Sequence, residues 1–246
     1  MSHKIEPDGL RLPLMNSPEA IDANDSMTDD MKEFAKKSLA RVPHTDGWYM
    51  LGNNPDMQAI LQIWERQMTA LFDGDFQGKP FGGYLWFANE IISHEMGNEY
   101  NRGVMTACTV GALHDQGFDY NDIVKSQMLD FPDHPVWSEE ERLCIKFIRA
   151  CVRNEMTDEL MQAAIDSWGE NQVVLRMCWL GYVMTHSMIQ NALNMHWDQD
   201  KEVFPYGALT PENVKAITDS LVGSHLAVRD FWLGLDTFDE DPMDKV

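Results

Sequence analysis

Strand signals are nearly absent from this sequence, which sets aside a sheet-based fold. Basic residues are also scarce: 19 Lys and Arg stand against 40 Asp and Glu, for a net charge of -21. Such a surface repels phosphate backbones and anionic lipid, so neither nucleic acid nor a membrane is expected as a partner. Solubility is the simplest reading of the acidity. No stretch approaches the roughly 18 uninterrupted apolar residues of a membrane span. The longest apolar region, Val173 to Met195, is broken by Arg176, His186, Gln190, Asn191 and Asn194. Met1 to Pro13 has no apolar core of a signal peptide, so a cytoplasmic location is the default expectation. Cys108, Cys144, Cys151 and Cys178 form no C-x-x-C pair, and their spacing suits neither zinc nor a disulfide framework. They read mostly as small buried hydrophobes. A glycine-rich phosphate loop, a Ser-His-Asp arrangement and a metal-ligand cluster are all lacking, so no metal and no cofactor are expected.

What is present is helix. With 44% apolar and 10% aromatic residues over 246 positions, the chain can build a sizeable core. Asn54-Pro55-Asp56 is a cap, a first-turn proline and an acidic first turn. Met57, Ile60, Leu61, Trp64, Met68 and Leu71 then repeat at helical spacing up to Gly74. Further helices are expected over Tyr84 to Met96, Asn101 to His114 (stopped at Gly117) and Tyr120 to Leu129. Ser138-Glu139-Glu140-Glu141 is a capping box opening an apolar stripe of Leu143, Cys144, Phe147, Ile148, Cys151 and Val152. Thr157-Asp158-Glu159 opens a helix to about Trp168. Asn171 to Trp197 reads as the longest helix, apolar around most of its girth and hence buried. Thr210-Pro211-Glu212 caps a helix to Gly223, and a last amphipathic segment covers Ser224 to Leu235. The organisation expected is an irregular N-terminal extension over 1–50 around one acidic helix (Thr28 to Leu39), a helical domain over 51–235, and an acidic tail over 236–246. A proline-marked linker near 131–137 divides that domain into two helical halves.

Several motifs follow one another in a recognisable order. They are Glu90-Ile91-Ile92, Gly117-Phe118-Asp119-Tyr120-Asn121-Asp122-Ile123, Trp137-Ser138-Glu139-Glu140-Glu141-Arg142 and Thr157-Asp158-Glu159-Leu160. Val173 to Met184 closes the series with Gly181-Tyr182-Val183-Met184. Over roughly residues 50 to 197 the chain resembles the carboxymuconolactone decarboxylase / alkyl hydroperoxidase D superfamily. Arg11-Leu12-Pro13 and Asn54-Pro55 suit it too. The resemblance implies an all-α, AhpD-like helical bundle that assembles as a homo-oligomer, with Met57, Ile60, Trp64 and Met68 as a candidate face. Counted from Glu90, the redox branch's two cysteines, histidine and glycine fall on Arg102, Met105, Thr109 and Gly117. A shifted register puts Asn98-Glu99-Tyr100-Asn101 on the cysteine turn. Neither register supplies a thiol, and thiol peroxidase chemistry needs two. The expectation is a divergent member without that activity. The remaining family chemistry implies a cofactor-independent lyase, decarboxylase or isomerase acting on a small organic acid or lactone. A non-catalytic small-molecule-binding or scaffold protein is the alternative.

Three groups are candidates for acid–base catalysis. Glu90 and His94, four apart, share a helical face, where a carboxylate can orient an imidazole for proton abstraction; an ordinary surface pair has the same spacing. His186 lies in the long apolar helix with Trp179, Tyr182 and Gln190 at spacings of three and four. That stripe reads as the wall of a polar-tipped pocket or as satisfied core. Arg102 is a candidate anion holder if buried and a surface residue otherwise; Thr109 completes the substrate-binding set. His114 ends a helix, where a cation suits the dipole. Glu90 and His186 are expected to meet at one cavity between packed helices.

Overall fold

The computed structural model describes residues 9–39, 45–71, 83–108, 125 and 128–197. All regular structure among them is helical: α1 (Pro18–Asp22), α2 (Asp29–Leu39), α3 (Asp46–Leu51), α4 (Pro55–Leu71), α5 (Gly83–Glu95), α6 (Glu99–Cys108), α7 (Glu139–Arg153), α8 (Asp158–Trp168) and α9 (Glu170–Ala192). None of these helices is long and apolar enough to cross a membrane. The expected helices at 120–129, 210–223 and 224–235, the stops at Gly74 and Gly117, His114 and the acidic tail fall wholly or mainly outside the described residues.

The helix boundaries follow local chemistry. Asn54 Oδ1 accepts from the Met57 amide at 3.1 Å, and Pro55 occupies the first turn of α4, where its missing N–H costs nothing. The capping box of α7 is reciprocal: Ser138 Oγ accepts from the Glu141 amide at 3.2 Å, and Glu141 Oε2 accepts from the Ser138 amide at 2.7 Å. Thr157 caps α8 through the Leu160 amide at 3.2 Å. Gly97, at φ +62°, closes α5 in the left-handed conformation, with the Asn98 amide donating back to Ser93 O at 2.8 Å. Asn98 Oδ1 then accepts from the Asn101 amide at 3.0 Å and starts α6.

The core gathers around α5, which packs against α6, α7 and α9, while α9 also packs against α4 and α8. Ile91, Ile92, Phe147, Ile148, Leu180 and Val183 are its sealed residues. Tyr84 meets Arg176 near the start of both α5 and α9. Asn191 Nδ2 donates to Met96 O at 2.9 Å near their ends. The two helices therefore run side by side in the same direction. The segment at 131–137 is a turn region whose Trp137 is buried and donates to Phe131 O at 3.0 Å. Helices on either side of it pack together through α5, so they share one core.

Two expectations are corrected. The N-terminal region holds α1 and α3 besides the acidic helix. Met15, Ile21, Met27 and Ala35 make a small core of their own, whereas Trp48, Met50 and Leu51 of α3 belong to the main one. The boundary read at 50/51 therefore falls inside α3. A six-residue helix is too short for apolar periodicity to reveal. The helix expected over 171–197 stops at Ala192, because the N-terminal segment closes its end. Arg11 Nη1 donates to Ala192 O at 2.6 Å, and the Arg11 amide donates to Leu193 O at 3.1 Å. A cation is favoured there by the helix dipole. Nor is α9 buried all round: Val174, Met177 and Met188 are exposed on its outer face.

Candidate functional site

The 3.6-residue repeat of α9 stacks Trp179, Tyr182 and His186 on one side of the helix. The Tyr182 ring lies 5.1 Å from Trp179, nearly parallel to it, and 4.6 Å from His186. Trp64 of α4 meets Tyr182 edge-on at 5.6 Å, and Trp48 of α3 meets His186 edge-on at 5.3 Å. Five rings from three helices thus form a continuous aromatic layer. His186 as a residue is half-buried, but its Nε2 is buried and has no hydrogen-bond partner among the described residues. Burial among rings disfavours the imidazolium and lowers the His186 pKa to about 4, so the ring is neutral at pH 7.

Gln190, one turn further, faces a different task. Its Oε1 accepts from Asn98 Nδ2 at 2.6 Å, and both side chains are buried. Gly47 presses against this pair: a Cβ there would lie 3.0 Å from Gln190 Nε2 and 3.3 Å from the Tyr100 ring. Tyr100 Oη accepts from the Gly47 amide at 2.9 Å. The Asn98–Gln190 bond therefore ties the α5–α6 turn to α9, and Tyr100 ties α3 to α6.

Glu90 is half-buried on α5. It shares a flank with Phe87 and His94 by helical spacing. Phe87 packs on Trp137 at 5.8 Å, and His94 Nε2 lies 3.0 Å from Asp130 Oδ1, so this flank faces the 128–137 segment. His94 Nδ1 is 3.6 Å from Glu95 Oε1. Glu95 is itself held by Arg149 Nε at 2.6 Å and by Arg153 Nε at 2.8 Å. Burial pushes the Glu95 carboxyl up, but these two guanidinium contacts outweigh it and hold it below its ordinary value. The structure thus brings Trp179, Tyr182 and His186 together, and it places His94 beside Asp130 and Glu95. No hydrogen bond joins His186 Nε2 to Glu90. Arg102 is exposed in the first turn of α6, and Thr109 lies outside the described residues.

Cys144 and Cys151 are free thiols whose pKa values burial raises, that of Cys151 to about 11, while Cys178 is free and exposed. Among the described residues no group of three or more His, Cys, Asp or Glu is arranged to hold a metal ion. Sequence reasoning missed Trp48 and Trp64 as partners of the α9 stripe, and Trp48 sits in the region read as irregular. It also passed over Arg176. That residue interrupts the buried stripe of Val173, Leu180 and Val183 at helical spacing, and a charge in such a place was the available signal.

No protein-family model matches the chain, and neither a curated protein nor a solved structure matches it. The resemblance to the carboxymuconolactone decarboxylase superfamily rests on its sequence motifs.

Proposed function

We propose that this chain is a small-molecule-binding protein of the alkyl hydroperoxidase D-like helical class, with the α9 aromatic layer as its ligand-contact surface. The observation that carries this reading is His186 Nε2: a buried polar atom, unpartnered among the described residues and set among the rings of Trp48 and Tyr182. Ligand sites combine apolar and aromatic walls with a few placed polar groups. The matching ligand is a small aromatic or apolar molecule with one hydrogen-bonding group. Support for binding over catalysis comes from His186 Nε2 having no hydrogen-bonded acid or base beside it among the described residues, since a general base is commonly oriented by such a partner. A lyase or isomerase acting on a small organic acid or lactone is the second reading. It is favoured by the neutral imidazole of His186, the form a base requires. Phenol binding, followed by saturation-transfer NMR, tests the proposal. Transfer to phenol in the wild type that is lost in His186→Phe supports it. Equal transfer in both proteins, or none in either, overturns it. Turnover of an organic acid or lactone that His186→Phe abolishes would favour the second reading.

The proposal includes a homo-oligomer. Met57 and Ile60 of the expected face are exposed, and Ile63, Val174, Met177 and Met188 extend the apolar surface of α4 and α9. Trp64 and Met68 instead turn inward, Trp64 against Tyr182.

A further inference from the structure

A second feature of α9 lies about ten residues before His186, which at helical rise is about 15 Å along the axis. Arg176 is 9% exposed. Its guanidinium carbon stands 4.0 Å from the centroid of the Tyr84 ring and 4.6 Å from that of Trp168. Arg176 Nε and Nη1 are buried without hydrogen-bond partners among the described residues, and so is the indole Nε1 of Trp168. No ion pair joins Arg176 to a carboxylate among those residues. Its polar neighbours are the Cys144 thiol and the Tyr84 hydroxyl; Arg176 favours the charged form of Tyr84 through charge and a side-chain hydrogen bond, but burial outweighs this and pushes both groups towards their neutral forms.

Arg176 Nε, Arg176 Nη1 and Trp168 Nε1 are all N–H donors, and the cluster carries one positive charge. A buried charge without a counter-charge is strongly unfavourable, and stacking on two rings offsets it only in part. We propose that Arg176 and Trp168 Nε1 form an anion site that takes a small monocarboxylate such as acetate or formate. A single guanidinium matches a monoanion, whereas a phosphate or sulfate dianion would bring one negative charge too many into a buried place. The rings occupy space against the guanidinium, and the carboxylate engages its edge, where planar N–H donors meet planar oxygens. Trp168 is only half-buried, at the turn where Gly169 (φ +78°) reverses the chain from α8 into α9, so the site lies just beneath the surface. This site goes beyond the aromatic layer around His186 and does not depend on it.

The test is the melting temperature of the full chain in chloride-free buffer. Sodium acetate or formate replaces sodium isethionate, a bulkier sulfonate, at constant ionic strength. A saturable rise in melting temperature is expected with either carboxylate, and a smaller one with sulfate or phosphate. Trp168→Phe keeps a ring but removes the indole donor, and should weaken apparent acetate affinity about tenfold, the equivalent of one charge-assisted hydrogen bond. Arg176→Met should abolish the response, while His186→Phe should retain it. Absence of a saturable effect in the wild type, an equal effect in Trp168→Phe, or a stronger effect with sulfate overturns the proposal. Should Arg176→Met fail to fold, the Trp168→Phe and sulfate comparisons still decide it.

Discussion

At the scale of single residues, His186 and Glu95 make opposite use of burial. His186 is buried without a counter-charge, so its folded pKa, about 4, lies below the ordinary value of 6.5. The unfolded chain therefore takes up this proton first. Stability should fall as pH drops from about 6.5 to about 4, by at most roughly 3 kcal/mol since the residue is only half-buried. Glu95 is held below its usual range by Arg149 and Arg153, so its contribution is present above the unfolded carboxyl value and lost as pH falls through the folded one. His186→Phe keeps a ring against Trp48 and Tyr182 and separates the two effects. Urea unfolding of this variant should show stability flat from pH 6.5 to about 4.5, with acid loss only below that, where the wild type already declines. A variant that tracks the wild type throughout this window would place the titration elsewhere.

At the scale of elements, caps and spacing were the readable part. Asn54-Pro55, Ser138 with Glu141, and Thr157 mark the starts of α4, α7 and α8 because each satisfies orphan amides with its own side chain or fills the first turn with proline. Ser138→Ala should cost about 1 kcal/mol in chemical denaturation, more if Glu141 also loses its place beside Lys125. The end of α9 was not readable, since Arg11, some 180 residues away in sequence, supplies the donor that closes it. The same limit applies to the site. The spacing of Trp179, Tyr182 and His186 shows in one helix, whereas Trp48, Trp64 and the Tyr84–Trp168 surroundings of Arg176 arise only when helices pack. Gly103 is another such contact: a Cβ on this residue of α6 would run into the Trp197 indole, which also meets Tyr100. Gly103→Ala should therefore destabilise by about 1–3 kcal/mol despite alanine's better helix propensity. A rise in melting temperature for this variant would show that Trp197 does not pack there.

At the scale of the whole molecule, charge and apolar surface are segregated. The chain carries a net charge of -21, yet the exposed side of α9 from Val174 to Met188 bears no charged residue. Two copies of so acidic a chain associate most readily through an uncharged face. Sedimentation at micromolar concentration should show a species heavier than the 28.2 kDa monomer. Ile60→Glu combined with Met188→Glu should return it to monomer without lowering helicity. A wild-type chain that already sediments as a monomer removes this part of the account. The central claim, that His186 is the polar end of an aromatic ligand surface, has a more direct test. In protein carrying ¹⁵N-labelled histidine, phenol should shift the His186 Nε2 resonance saturably and leave the exposed His196 resonance in place. An Nε2 resonance that stays fixed while phenol binds elsewhere, or that moves in step with His196, would contradict the account.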